Sequence, residues 1–307
     1  MQIKNLLILN KNGWLIMSIA IVTIVSSIFT IYYYHPHHFL GSPNLHKGID
    51  KFGIKEIYPT KSGGGREWFI NMDNPKDDRL FSITSNIPIT RQSDGSWHVS
   101  NSLVRMNINT PLGIEPWRNV EMTGYVKVIL ANNMAGDNKN DSNDENNNTS
   151  ITDLDWRARG GRHNISVPCE GTALNGRIYS DGRVGWKKEI WHTGGYTNTR
   201  SISKVTDSIV GRWIGWKVVM YNINNDNAVK MESYLDDKNN NHWVKVTDLI
   251  DNGGWYADSS DSVFYSANCG KSKDYIITNS GTIVTFRSDN MILDFKNLSI
   301  REIQAST

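Results

Sequence analysis

Between Trp156 and Arg200 the chain concentrates the side chains suited to acid–base and anion chemistry. Arg157, Arg159, Arg162, Arg177, Arg183, Lys187, Lys188 and Arg200 are set against Glu170, Asp181 and Glu189, so eight cations meet three acids. His163, His192, Trp156, Trp186, Trp191, Tyr179 and Tyr196 share the window. Guanidinium forks pair with carboxylate or sulfate, and flat rings stack on pyranose faces, so the mixture suits an acidic sugar polymer. Arg157, Arg177, Lys188, Glu189, Trp186, Trp191 and His163 are the candidate substrate-binding residues.

Cleaving such a polymer by elimination across C4–C5 of a uronate needs three groups. A cation or donor neutralises the carboxylate, a base takes the C5 proton, and an acid protonates the leaving oxygen. Arg159 or Arg162 fits the first role, His192 the second, and Tyr196 or Tyr179 the third. His192 and Tyr196 flank Thr193-Gly194-Gly195, so they meet only if the glycines turn the chain. The plainer alternative makes His192 a hydrogen-bonded strand residue and the arginines a solvated rim. A retaining hydrolase needs paired carboxylates about 5–5.5 Å apart, commonly on one strand as Glu-x-Asp-x-x-Glu. That triplet does not occur, and Asp153-Leu154-Asp155 lacks its third acid.

The elements that must position these residues read as strands. Val104-Arg105-Met106-Asn107-Ile108, Val120 to Val128 and Trp216 to Tyr221 alternate or run apolar between turn residues. From Ile57 onward no stretch sustains a helical apolar period over three turns. The pattern predicts an all-β fold, a two-sheet antiparallel sandwich of jelly-roll type over residues 56–307. Asp181-Gly182 predicts a two-residue type I′ hairpin turn. That register sets Arg177 opposite Trp186 and Asn175 opposite Lys188. Asn175, Arg177, Tyr179, Trp186, Lys188, Ile190 and His192 would then share one face.

Residues 132–150 hold eight Asn, three Asp and one Glu, too polar to offset their ordering entropy, and read as a disordered loop. Neither this loop nor Asp236-Asp237-Lys238-Asn239-Asn240-Asn241 has the Gly and Glu positions of an EF-hand. No metal ligands are assigned and no cofactor is required; a structural calcium is the one ion the composition leaves open. His35, His37 and His38 read as part of a solvated linker over 35–55.

Residues 13–34 contain no charged side chain and, at about 1.5 Å per residue, reach across a hydrocarbon core of roughly 30 Å. Trp14 and Tyr32 to Tyr34 mark the two interfaces. Lys4 and Lys11 precede the run, which places residues 1–12 in the cytoplasm and the remainder outside a cell membrane crossed once. A cleaved secretory signal is the rival reading, and either one exports the body. Export suits one disulfide between Cys169 and Cys269, the alternative being two buried thiols. The chain carries 33 Lys and Arg against 31 Asp and Glu, and the excess of two is Lys4 and Lys11. The body is therefore neutral, which argues against nucleic acid as a partner.

The strands at Trp216-Lys217-Val218-Val219-Met220-Tyr221-Asn222 and Lys230 to Asp236, with the closing Leu293 to Ile303, resemble concanavalin A-like jelly rolls. Within these the chain is most similar to polysaccharide lyases acting on alginate or glucuronan, over residues 57–303. The resemblance implies an Arg-bearing strand and a Gln-x-His strand lining the concave sheet, with a Tyr from a later strand. The matching text is Arg157-Ala158-Arg159-Gly160-Gly161-Arg162 and Glu189-Ile190-Trp191-His192, with Glu189 in the Gln position. With the anchor read from residues 13–34, it implies a membrane-anchored protein that binds an acidic polysaccharide or cell-envelope glycan and cleaves it. A non-catalytic carbohydrate-binding or adhesion module is the alternative.

Overall fold

The computed structural model describes residues 48–84, 87–131, 152–163, 166–167, 169–192, 195–257 and 269–305. All belong to one unit, His46–Thr307; the expected anchor at 13–34 and the Asn-rich stretch at 132–150 lie outside the described residues. Among the described residues the chain is an all-β antiparallel sandwich, as the alternating text predicts, and its helix is a single 3₁₀ turn, Pro75–Asp77.

The strands are β1 (Glu67–Phe69), β2 (Phe81–Ile83), β3 (Ile89–Arg91), β4 (Trp97–Asn109) and β5 (Val120–Ala131). There follow β6 (Asp153–Gly160), β7 (Ala173–Tyr179), β8 (Arg183–Glu189) and β9 (Arg200–Lys204). The last four are β10 (Trp213–Ile223), β11 (Ala228–Asp236), β12 (Val244–Asp251) and β13 (Ile283–Glu302).

The long closing strand organises both layers. The first part of β13 pairs with β6, from which β7, β8 and β9 follow in order; the second part pairs with β5, followed by β10, β11 and β12. β4 runs along the other side of β13. Asn290, between the two pairing stretches, has φ 53°, a left-handed conformation that Asn tolerates better than most residues. The two leaves diverge there and pack face to face. Trp156 of β6 lies 4.5 Å from Trp216 of β10 and 4.8 Å from Phe286 of β13, centroid to centroid. A β-carbon on Gly176 of β7 would meet Val218 of β10 at 2.8 Å, so that close approach of the leaves requires glycine.

The β7–β8 hairpin differs from expectation by one residue. Ile178 pairs with Val184 and Gly176 with Trp186, so the loop is Ser180-Asp181-Gly182. Gly182 N–H donates to the Tyr179 carbonyl (2.9 Å) and Gly182 has φ 89°, a turn closed by a left-handed glycine. A one-residue slip exchanges faces. Trp186 therefore joins Leu174 and Ile178 in the core, and Lys188 follows it inward, while Asn175, Arg177 and Tyr179 share the outer face with Lys187 and Glu189.

Candidate functional site

On β6 the core-facing Leu154, Trp156 and Ala158 alternate with Asp153, Asp155 and Arg157, which join the outer face. Arg157 lies opposite Asn175 on β7, and Asn175 opposite Lys187 on β8. The result is a buried polar floor. Arg157 donates through Nη2 to Asp155 Oδ2 (2.8 Å) and through Nη1 to Glu189 Oε2 (3.0 Å), and Arg177 donates to Asp153 Oδ2 (2.6 Å). Asn175 is fully buried, yet neither its amide oxygen nor its amide nitrogen has a partner; Asp155 Oδ1 and Arg157 Nε are also unpaired.

At the end of this floor five side chains converge. Tyr196 Oη donates to Glu189 Oε1 at 2.9 Å and lies 3.4 Å from His192 Nδ1. His192 Nδ1 is 3.0 Å from His163 Nδ1, and these two nitrogens are 3.4 and 3.5 Å from Glu189 Oε1. Arg157 holds the other carboxylate oxygen. Glu189 is sealed from solvent, while both imidazoles are about a quarter exposed.

Local sequence explains the convergence. The chain turns after Trp191, with Ile190 N–H bonded to the Gly195 carbonyl (2.7 Å), so Tyr196 pairs with Glu189. A β-carbon on Gly195 would lie 2.5 Å from the Trp191 nitrogen, so this turn admits only glycine. Six residues after His163, Cys169 forms the expected disulfide with Cys269. His192 N–H bonds the carbonyl of Glu170, the residue after Cys169, tying the disulfide to the turn.

Burial sets the ionisation states. It pushes Glu189 up, but the His192 hydrogen bond and the Arg157 charge outweigh it and hold the carboxyl below its ordinary range. Burial and the Glu189 charge push the Tyr196 hydroxyl well up, so it stays protonated. Burial, reinforced by Arg157 and His192, pushes His163 down to about 4 against the pull of Glu189.

The other expected site residues lie elsewhere. Arg159 has φ 61°, and this left-handed residue turns its guanidinium out of the Asp155–Arg157 row onto the carbonyls of Arg118 and Ile277 and the amide of Asn222. It is fully buried, and burial with the nearby Arg118 charge pushes it down to about 9. Arg162 is exposed beside Glu170 at 3.4 Å. Tyr179 is stacked between Arg177 and Arg183. It sits at the far end of β7 from Ala173, which pairs with Glu189, and is therefore about 20 Å away along the strand. Lys188 pairs with Asp251 of β12 at 2.9 Å between the leaves. Trp186 is in the core and Trp191 packs with Ile190 and Ala257, so neither offers a stacking face.

Sequence reasoning placed Asn175 on this face and named His163 and Glu189 as binding residues, but missed Asp155 as a member of the floor and the direct contact of His163 with His192 and Glu189. His163 and His192 are 29 positions apart, and no local spacing signals their contact.

No protein-family model and no curated protein matches the chain. Solved structures do resemble it. Peanut lectin with a 9mer peptide is 10% identical at TM-score 0.38, over 80% of this chain and 100% of the lectin. Basic winged bean lectin with Tn-antigen is 8% identical at TM-score 0.42, over 78% and 98%. The carbohydrate recognition domain of Emp47p is 8% identical at TM-score 0.42, over 74% and 90%.

Proposed function

We propose that this is an exported, membrane-anchored carbohydrate-active protein that binds an acidic polysaccharide over the Asp155–Asn175–Arg157 floor and cleaves it by β-elimination beside Tyr196. The observation that carries the reading is the Tyr196 hydroxyl held between Glu189 and His192, next to buried polar atoms without partners. Leaving such atoms unpaired costs about 1–3 kcal/mol each, which sugar hydroxyls would offset once the groups covering Asn175 move aside.

In this scheme an imidazole nitrogen of His192 takes the C5 proton of a uronate. The C5–H electrons form the C4–C5 double bond, the C4–O bond breaks, and the departing oxygen takes the Tyr196 proton. His192 then returns its proton to Tyr196 across their 3.4 Å separation, which restores both groups. Glu189 and Arg157 orient Tyr196 and do not exchange protons.

The non-catalytic alternative has one observation in its favour. Glu189 is held ionised beside Tyr196, and its charge opposes that of a uronate carboxylate. Incubation of the full chain with alginate, glucuronan and pectate, following ultraviolet absorbance of the unsaturated product, decides between them. The lyase reading expects a rise with at least one polymer, reduced by roughly 100-fold or more in Tyr196→Phe, the scale of a lost general acid. No rise with any polymer, with retention on a polysaccharide affinity gel, leaves a binding module.

A further inference from the structure

We infer that His163 Nδ1, His192 Nδ1 and Glu189 Oε1 form a binding site for a divalent transition metal of the zinc type, with its open position toward Tyr196. The three atoms make a triangle with edges of 3.0, 3.4 and 3.5 Å. Ligands bonded at about 2.0–2.1 Å around a tetrahedral zinc stand roughly 3.3–3.4 Å apart, so the triangle fits three vertices with shifts of a few tenths of an ångström. The imidazole centroids are 4.6 Å apart while the nitrogens are 3.0 Å apart, so the two Nδ1 corners converge on one point.

Hydrogen bonding accounts for the 3.0 Å contact between the imidazoles but only weakly for the two contacts to Glu189. His98 Nδ1 lies 2.7 Å from Asp294 Oδ1, which shows what a hydrogen-bonded histidine–carboxylate pair looks like in this chain. The contacts to Glu189 are 0.7 and 0.8 Å longer, and two Nδ1 atoms facing one another share at most one proton between them. A cation placed among the three satisfies all of them together.

The surroundings are those of a supported ligand set. Arg157 holds Glu189 Oε2, leaving Oε1 for a metal, as outer-shell partners do. Gly171, with φ 78°, lies against both imidazoles: a β-carbon there would come within 3.2 Å of the His192 β-carbon and 3.6 Å of the His163 ring. Two imidazoles and one carboxylate suit zinc-like ions and not the all-oxygen shell that calcium prefers. Tyr196 Oη, 2.9 Å from Oε1 and 3.4 Å from His192 Nδ1, borders the remaining vertex. The site thus keeps three protein ligands and one position for water or a ligand oxygen. An ion on His192 Nδ1 occupies the atom that faces Tyr196, so the proton return from His192 to Tyr196 belongs to the metal-free site. The metal site stands on this geometry and not on the polysaccharide reading.

The test is calorimetric titration with Zn2+ of the full chain, purified in mild detergent with its disulfide intact and stripped by chelator. The expected result is one Zn2+ per chain with Kd on the order of 1 μM or tighter. His163→Ala and Glu189→Gln should each weaken binding by more than the roughly 10- to 100-fold that loss of an outer-shell partner costs. Ca2+ should not compete, and Arg162→Ala should bind as the parent does. His163 is partly exposed, so its variant serves if Glu189→Gln does not fold. Unchanged Zn2+ binding in a His163→Ala, His192→Ala double variant, or the absence of binding by the parent, overturns the site. Polymer retention is measured separately: Zn2+ binding without polymer binding overturns the polysaccharide reading and leaves the metal site standing.

Discussion

At the scale of single residues, Asn175 is the most telling side chain on the outer face. A buried amide with both ends unpaired contributes nothing to the fold that an apolar side chain of similar size would not. Asn175→Leu is therefore expected to leave stability unchanged or raise it by about 1 kcal/mol in urea unfolding. The same substitution should weaken retention on a polysaccharide gel by roughly tenfold, about 1.4 kcal/mol. A large loss of stability with unchanged retention would make Asn175 a structural residue. Much of this site was legible beforehand, since Arg157, His163, Glu189, His192 and Tyr196 all stand in one cationic, aromatic window. What the window could not convey is pairing. Arg157, Arg177 and Lys188 are matched by Asp155, Asp153 and Asp251, which lie outside it, so the apparent local excess of charge is largely neutralised within the fold.

At the scale of elements, the outcome turned on the β7–β8 loop. Asp-Gly suits a two-residue type I′ turn and equally the end of a three-residue loop whose last member is left-handed, and the two differ by one residue of register. Local text does not separate them. The long-range contacts do: Gly182 rests against the backbone of Thr206 and Asp207, and the Val205 nitrogen bonds the Gly182 carbonyl at 3.1 Å. A β-carbon at Gly182 would come within 2.2 Å of the Thr206 carbonyl oxygen, on a residue already at φ 89°. Gly182→Ala is expected to cost at least about 1–2 kcal/mol from the left-handed conformation, with the clash added. Heat or urea unfolding followed by near-UV tryptophan signals measures it. An effect below 0.5 kcal/mol, the range of ordinary surface changes, would show that the loop relaxes freely. Arg159 is the parallel case within β6: its positive φ is invisible in the sequence, and it removes from the site the guanidinium best placed by alternation.

Across the whole molecule, the alternation of apolar residues was enough to establish an all-β sandwich, because burial of one face is written at every second position. The charged ties between strands were not, because they join residues far apart in the chain. One such tie is Glu121 on β5. It accepts from Lys217 of β10 and Arg301 of β13, both at 2.8 Å, and from the Ile57 and Tyr58 nitrogens on the segment leading to β1. Burial pushes its carboxyl up, but Lys217 and Arg301 outweigh burial and hold it below the ordinary value of 4.5. A carboxyl depressed in the folded state adds stability that is fully present above its unfolded value. As pH falls below about 4.5 the unfolded chain takes up the proton first, and that stability is lost until the folded value is passed. Glu121→Gln should therefore be less stable than the parent at pH 7, because Lys217 and Arg301 lose their counter-charge inside the protein. Below pH 4.5 the gap between the two should narrow, since protonation of Glu121 in the unfolded parent removes a stabilisation that the variant never had. Urea midpoints measured from pH 7 to pH 3 test this, and a gap that stays constant or widens toward acid would mean that Glu121 is not the carboxylate through which this sandwich feels pH.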